Sequence, residues 1–169
     1  MIQRAAFRWG LYHGVWDGGD PTIGIKRWKT KKRKRIARFL EIRALLSYFD
    51  SATTDIAIRN RALFGLELFT GCRQGEARTA LLNAITPYEN AGCWNKGKTK
   101  TGEDHEIPIT RQGMEWLTDW LKIRGTQAHA TKSPYLFPSY DPDAALSVRA
   151  VWHWLNEVRK ELGMTRAEL

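Results

Sequence analysis

The stretch at residues 85–109 constrains the fold most, because it interrupts a chain whose other long segments have helical patterns. Five helix-breaking residues fall within it, namely Pro87, Gly92, Gly97, Gly102 and Pro108. Proline and glycine disfavour helix interiors and mark turns. The short stretches between the breaks (residues 84–88, 93–95 and 105–109) predict a small antiparallel sheet of two or three strands with tight turns.

Apolar residues on both sides of this stretch recur at spacings of three and four, which indicates amphipathic helices. We predict a helix ending near residue 13, one from Phe39, and one from about Thr54 to Thr70 that stops at Gly71. A short helix over residues 74–82, a helix capped by Thr110, and a last helix from about Ser147 to Leu162 follow. The fold class is therefore mainly α with a small antiparallel β-sheet (α+β). With 169 residues, the chain fits one ordinary domain and perhaps part of a second.

The positive charge of the chain is concentrated in one segment. The net charge is +9, and residues 26–38 contain nine basic residues and no acidic one, so the remainder is neutral. The nine are Lys26, Arg27, Lys29, Lys31, Lys32, Arg33, Lys34, Arg35 and Arg38. Such a block attracts a polyanion, because neutralised phosphates release condensed counterions. A solvated linker or a nuclear-import signal has the same composition, but Trp28 within the run favours contact with nucleic acid.

Two other sequence features bear on the setting of the chain. No apolar run approaches the roughly 18 residues of a membrane span, and no long apolar stretch follows the N-terminus as in a secretory signal. Cys72 and Cys93 do not make a disulfide framework. We therefore expect a reducing, cytoplasmic location without a membrane partner.

Residues 92–99 (Gly-Cys-Trp-Asn-Lys-Gly-Lys-Thr) fit the phosphate-binding loop pattern G-x-x-x-x-G-K-T letter for letter. That loop works where it follows a buried strand and opens a helix. Residues 86–90 before it are not an apolar strand, and residues 100–104 after it lead to Pro108. We therefore interpret the match as accidental and do not expect nucleotide hydrolysis.

Residues 70–76 (Thr-Gly-Cys-Arg-Gln-Gly-Glu) are the stronger candidate for a phosphate site. A helix that stops at a glycine and then presents Arg73 places a planar guanidinium at a turn, where its fork matches two phosphate oxygens. Glu76 lies three residues later and is placed to orient Arg73 if a helix begins there. Taken alone, the pair also fits an ordinary ion pair on a helix surface.

Residues 68–77 resemble the first conserved box of the tyrosine recombinases, the phage-type integrases, which reads Thr-Gly-x-Arg-x-Gly-Glu. The resemblance extends over nearly the whole chain. Residues 98–102 (Lys-Thr-Lys-Thr-Gly), followed by 106–109 (Glu-Ile-Pro-Ile), look like the family's lysine-bearing hairpin. Residues 135–138 (Tyr-Leu-Phe-Pro) match a segment before its next box. The resemblance implies a tyrosine-recombinase catalytic-domain-like fold that is incomplete at the C-terminus.

By this resemblance, Arg73 would clamp the scissile phosphate and Glu76 would support it. Lys100 would protonate the leaving 5′-oxygen, with Lys98 as the alternative because hairpin registers slip. The family recombines DNA at specific sites in phages and other mobile elements, through a 3′-phosphotyrosine intermediate and without metal or ATP. The implied partner is double-stranded DNA, bound by the nine basic residues and Lys98, with self-association into a recombinase tetramer for the full-length protein.

The same resemblance divides the chain into the end of a core-binding domain (1–20), a basic linker (21–38) and the N-terminal part of the catalytic domain (39–169). One departure stands out. The family requires a later His-x-x-Arg box and then the nucleophilic tyrosine, and no histidine here is followed by arginine three residues on. We therefore expect a fragment that is inactive alone. The alternative is a non-enzymatic DNA-binding or regulatory protein derived from an integrase, so whether this chain is an enzyme stays open.

Overall fold

The computed structural model describes residues 2–19, 38–89, 91–98 and 104–164. The chain divides into two compact units, Met1–Arg35 and Ile36–Leu169. In the first unit, helix α1 (Ile2–Tyr12) is followed by a turn in which Gly14 has φ 66°. The ring of Trp16 packs edge-on against Phe7, with 5.6 Å between ring centroids. The basic segment at residues 26–35 lies outside the described ranges.

The second unit contains the predicted helices and sheet. Its helices are α2 (Phe39–Asp50), α3 (Asp55–Thr70), α4 (Gln74–Arg78), α5 (Arg111–Thr126), α6 (Ala128–Thr131) and α7 (Val148–Glu161). The hydroxyls of Thr54, Thr110 and Ser147 cap α3, α5 and α7 by accepting backbone N–H bonds three residues on. Within the described ranges, no helix is both long and apolar enough to cross a membrane.

The helix predicted over residues 74–82 is shorter than expected. It ends at Arg78, and a 3₁₀ turn at Leu82–Ala84 follows. The backbone between them bonds elsewhere: Leu82 N–H donates to Pro134 O (2.9 Å), and Leu136 N–H donates to Ala80 O (2.8 Å). These bonds replace the intrahelical ones and tie the loop before α7 to the end of α4. Helix α6 was not predicted.

The predicted antiparallel sheet has three strands in the order β1 (Ile85–Tyr88), β2 (Ala91–Lys98) and β3 (Asp104–Ile109). Trp94 in the central strand pairs with Ile85 on one side and Ile107 on the other. Its side chain is only 2% exposed, so this face of β2 packs against the core. The pairing of β2 with β3 shifts register between Asn95 and Lys98.

The main core lies between α3, the sheet, α5 and the loop before α7. Its largest fully buried side chains are Leu63, Leu66, Trp94, Ile109, Leu117, Trp120, Leu136 and Phe137. The indole N–H of Trp120 donates to Leu136 O (2.9 Å), so the polar atom of this buried ring is satisfied. Arg124 is also buried and donates to Ser133 O (2.7 Å) and Tyr135 O (3.0 Å), which fixes the loop.

A second cluster joins α2 and α7 to the back of α3 and α5. Phe49 from α2 is 1% exposed and lies against Phe64, with 4.4 Å between ring centroids. Trp116 from α5 and Val158 from α7 complete it. Because α3 is packed on both sides by these clusters, the residues that follow its C-terminus start from a fixed position.

Candidate functional site

The turn that carries Arg73 is set by the end of α3. Gly71 adopts the left-handed conformation (φ 65°), and its N–H donates to Glu67 O (2.9 Å). The Thr70 hydroxyl donates to Leu66 O in the last turn. Glycine adopts positive φ without steric cost, so a helix ends readily at such a position. The chain then reverses, and Arg73 becomes the residue before the first turn of α4.

Glu76 holds Arg73 at two points. One carboxylate oxygen, Oε2, accepts the Arg73 backbone N–H (2.9 Å), and the other, Oε1, lies 3.2 Å from Arg73 Nη1. The Arg73 side chain is nevertheless 87% exposed. A guanidinium carries five N–H donors, so this arrangement orients the group and still leaves donors facing solvent.

Lys96 from β2 contacts the same carboxylate. Its Nζ lies 2.5 Å from Glu76 Oε2, and both side chains are 27% exposed. The hydrogen bond from Lys96, followed by that from the Arg73 backbone N–H, lowers the pKa of Glu76 to about 2. Glu76 is therefore ionised at neutral pH and bridges α4 to the hairpin.

A groove of about 290 Å³ opens beside this ion cluster. Its lining includes Glu76, Thr79, Trp94, Asn95, Lys96 and Gly97. A wider groove of about 490 Å³ lies between the β1–β2 turn and α5 and shares no lining residue with the first. Of these two grooves, the smaller one is bordered by Glu76, which contacts Arg73, and by Lys96, which contacts Glu76.

Two half-buried groups lie directly beneath the turn. Cys72 precedes Arg73, and its N–H donates to Thr70 Oγ1 (3.4 Å). Burial is the largest cause that raises the pKa of the Cys72 thiol. Burial also raises the pKa of Glu67 to about 7, and Glu67 Oε1 has no hydrogen-bond partner among the described residues.

The structure thus brings Arg73 and Glu76 together as predicted, while the other predicted residues are less fully described. Arg38 precedes α2, and its backbone N–H donates to Glu41 Oε2 (2.7 Å). Lys98 ends β2 opposite Asp104. Lys100 lies outside the described residues, as do Lys26, Arg27, Lys29, Lys31, Lys32, Arg33, Lys34 and Arg35.

The sequence interpretation missed Lys96. The signal that points to it is the alternation of β2: Trp94 and Lys96 are two residues apart, so they share the inward face. The phosphate-binding loop pattern at residues 92–99 is accidental, as expected, because residues 91–98 form a strand in an antiparallel sheet. Within the described ranges, no cluster of three His, Cys, Asp or Glu side chains is placed to hold a metal ion.

A family comparison decides the classification of the chain. Residues 23–168 match the model of the phage integrase family. The chain belongs to that family. The match includes Arg73, Glu76, Lys96 and both candidate hairpin lysines. It therefore supports the resemblance seen in the sequence over most of the chain.

Among individual relatives, the chain is 34% identical over 96 residues to the protein named integrase/recombinase y4rF of Sinorhizobium fredii (strain NBRC 101917 / NGR234). This alignment covers 54% of the chain and 20% of the relative. The aligned part of the chain therefore spans about a fifth of that protein's length.

Solved recombinase structures share the fold. The XerH site-specific recombinase matches with a TM-score of 0.65 in a pre-cleavage complex with its difH substrate, at 20% identity, over 86% of this chain and 42% of that one. A post-cleavage XerH complex with palindromic difH gives 0.62 at 21% identity, over 77% and 37%. The XerA recombinase gives 0.59 at 16% identity, over 93% and 52%. The integrase chain thus has the predicted tyrosine-recombinase catalytic-domain fold and spans about half or less of these proteins.

Proposed function

We propose that this integrase-family chain binds a DNA phosphate through Arg73 as part of a site-specific recombination site. The observation that carries the proposal is the geometry of Arg73: Glu76 holds its backbone N–H and Nη1, yet 87% of its side chain is exposed. A phosphate oxygen is a strong acceptor for such a preoriented guanidinium. The proposed partner is double-stranded DNA.

In the proposed reaction, a tyrosine attacks the scissile phosphate and forms a 3′-phosphotyrosine bond while the 5′-oxygen leaves. Arg73 stabilises the negative charge on the non-bridging oxygens, because a fixed cation requires little reorganisation as that charge develops. Lys100, or Lys98 as the alternative, donates the proton that the leaving oxygen needs. Reversal of these steps rejoins the DNA strands.

We further propose that the 169 residues supply only part of this catalytic set. No His-x-x-Arg occurs in them, and Tyr12, Tyr48, Tyr88, Tyr135 and Tyr140 all precede the place where the family's nucleophile follows that box. The second arginine and the nucleophile would then come from another segment, and assembly into a tetramer on DNA would belong to the complete recombinase. The catalytic domain begins near residue 39 in this proposal, after the basic linker.

The test is salt-titrated binding of the chain to duplex DNA, measured by fluorescence anisotropy. Replacing Arg73 by alanine should weaken binding roughly tenfold, since hydrogen bonds to charged groups contribute about 1.5–3 kcal/mol, and should reduce the salt slope by about one phosphate contact. The matched control is Arg111→Ala, which removes another exposed arginine that pairs with a glutamate on its own helix (Arg111 Nε–Glu115 Oε1, 3.0 Å). Equal losses for both variants would contradict the proposal.

The basic linker needs its own experiment. Neutralising Lys31, Lys32, Arg33, Lys34 and Arg35 together should flatten the dependence of affinity on salt, because fewer counterions are released per complex. An unchanged slope would remove this segment from the proposed DNA interface without affecting the proposal for Arg73.

A non-enzymatic DNA-binding role is the second candidate, and the absence of His-x-x-Arg from the sequence favours it. A nicked duplex that traps covalent intermediates tests whether this chain supplies the nucleophile, which neither candidate predicts. We expect the chain alone to give no covalent adduct. An adduct would show that a tyrosine of this chain acts as the nucleophile.

A further inference from the structure

Lys96 occupies an unusual place on β2, since it is a charged residue on the face that otherwise packs against the core. Trp94, two residues earlier, is 2% exposed on this face. Lys96 comes where the core ends, and its side chain reaches α4 rather than solvent. The contact it makes there is the 2.5 Å ion pair with Glu76 Oε2.

The backbone around Lys96 is also irregular. Asn95 pairs with Glu106, but Lys98 pairs with Asp104, so β2 has one extra residue in this interval. Gly97 has φ 79°, and its N–H donates to Asn95 Oδ1 (2.9 Å). A bulge of this kind changes the direction of a strand and the aim of its side chains. Lys96 is therefore anchored to α4 just before the hairpin segment that carries Lys98 and Lys100.

The charges of the three contacting groups explain why a cation is useful here. Glu76 orients Arg73, but its carboxylate also lies next to the place where a phosphate would bind, and like charges repel. Lys96 compensates that carboxylate. Arg73, Glu76 and Lys96 together carry one net positive charge, whereas Arg73 and Glu76 alone would carry none.

We propose that Lys96 is a positioning residue for phosphate binding: it fixes and neutralises Glu76, so that Glu76 can hold Arg73 without repelling the DNA. This inference rests on the proposed function. Lys96 acts through Glu76 in this scheme and does not itself contact the scissile phosphate. Its role is therefore separate from the proton donation assigned to Lys100 or Lys98.

A double-mutant cycle on duplex-DNA affinity separates an indirect role from a direct one. Lys96→Met should weaken binding roughly tenfold in the wild-type background, a change that corresponds to about 1.4 kcal/mol. In the Glu76→Gln background no carboxylate needs neutralising, so Lys96→Met should change affinity less than about twofold, since the coupling is then absent. Equal losses in both backgrounds would overturn the proposal, because a lysine that contacts DNA directly loses the same contact in each.

Two further variants control for charge and folding. Lys122→Met removes a lysine paired with Asp119 (3.4 Å) on α5 and should leave the affinity nearly unchanged. Lys96→Arg keeps the charge and the donor, and should restore most of the binding lost in Lys96→Met. Failure of the arginine variant to bind, with the fold intact by circular dichroism, would also overturn the proposal.

A measurement without DNA keeps this inference distinguishable from the proposed function. Carbon-detected NMR titration of the Glu76 carboxyl should give a pKa of about 2 in the wild type and a value raised towards that of an ordinary glutamate in Lys96→Met. An unchanged pKa would overturn the positioning role even if Arg73 binds DNA. Conversely, a chain that shows this shift but no Arg73-dependent DNA binding would refute the proposed function alone.

Discussion

The ring of Trp116 lies so close to the backbone of Gly65 that a Cβ atom at Gly65 would be 2.6 Å from Trp116 Cε3. Gly65 is in the middle of α3, and Trp116 is a buried residue of α5. A glycine in a helix interior is normally unfavourable relative to alanine. Here it allows the two helices to approach, and α3 in turn fixes the turn that carries Arg73.

Replacing Gly65 by alanine should therefore destabilise the chain. Overpacking against a buried ring costs about 1–3 kcal/mol, and the gain in helix propensity offsets at most about 1 kcal/mol of this. We expect a net loss of about 1–2 kcal/mol in the free energy of unfolding, measured by urea denaturation with tryptophan fluorescence. Gly125→Ala in α5 is the control, since among the described residues nothing outside its own stretch of helix lies within 4 Å of its Cβ position, and it should be neutral or stabilising. Equal effects would argue against the close approach.

The ion pair between Arg61 and Asp119 should contribute more than the surface pairs. Arg61 Nη2 lies 2.8 Å from Asp119 Oδ2, and the Arg61 side chain is only 10% exposed. Asp119→Ala leaves this buried guanidinium without its carboxylate, so we expect a loss of about 1–2 kcal/mol in unfolding free energy, below the fully buried case because Asp119 is partly exposed. Glu115→Ala breaks the exposed pair with Arg111 and should cost less than about 0.5 kcal/mol. Similar losses of stability in the two variants would show that the partly buried pair contributes no more than the exposed one.

Glu67 predicts an unusual pH dependence. Burial raises its pKa to about 7 from the ordinary 4.5, so between these values the folded state holds a proton that the unfolded state has released. The free energy of unfolding should therefore fall as pH rises from about 4.5 to 7, by up to about 3 kcal/mol, and then level off. Urea denaturation at intervals of pH measures the effect.

Glu67→Gln is the matched variant, because it keeps the shape without the titrating group. It should abolish the decrease in the free energy of unfolding between pH 4.5 and 7, and it should be more stable than the wild type at pH 8. The contribution of Glu76 has the opposite sign and a different window: its pKa is lowered to about 2, so its stabilisation is lost as pH falls from about 4.5 towards 2. If the free energy of unfolding still falls between pH 4.5 and 7 in Glu67→Gln, the pH dependence does not come from Glu67.

Gly71 should be intolerant of a side chain for reasons of backbone conformation alone. Its φ is 65°, and apart from its chain neighbours no described residue has an atom within 4 Å of its Cβ position. Gly71→Ala should cost about 1–2 kcal/mol in unfolding free energy, because the left-handed conformation is strained for other L-residues. It should also weaken DNA binding if Arg73 is displaced. Gly75→Ala, in ordinary helical backbone with equal space, should not destabilise the fold; equal costs would show that the conformation of Gly71 is not the reason.

Much of the fold could be predicted because its signals are local. Thr54, Thr110 and Ser147 have the hydroxyls that cap helices, Gly71 provides the stop, and the interrupted stretch at 85–109 forms the sheet. The contact between Arg73 and Glu76 was also predictable, since residues three apart meet at the start of a helix.

The remainder depends on partners distant in sequence. The residues after Arg78 leave the helix because Ala80 and Leu82 bond to the loop at residues 134–136, and no local pattern encodes that choice. Lys96 contacts Glu76 because a bulge and the inward face of β2 aim it there. The alternation from Trp94 places Lys96 on the inward face, but no local pattern shows that Glu76 is the residue it contacts there.

Cys72 gives the chain an internal chemical reporter. Its thiol is half-buried, its pKa is raised, and it lies one residue before Arg73. Alkylating reagents react with the thiolate, so modification should be slow while the turn stays closed. In a chain whose other cysteine, Cys93, is replaced by serine, the alkylation rate of Cys72 would report how often the turn before Arg73 opens. Binding of a DNA duplex at Arg73 should then lower that rate.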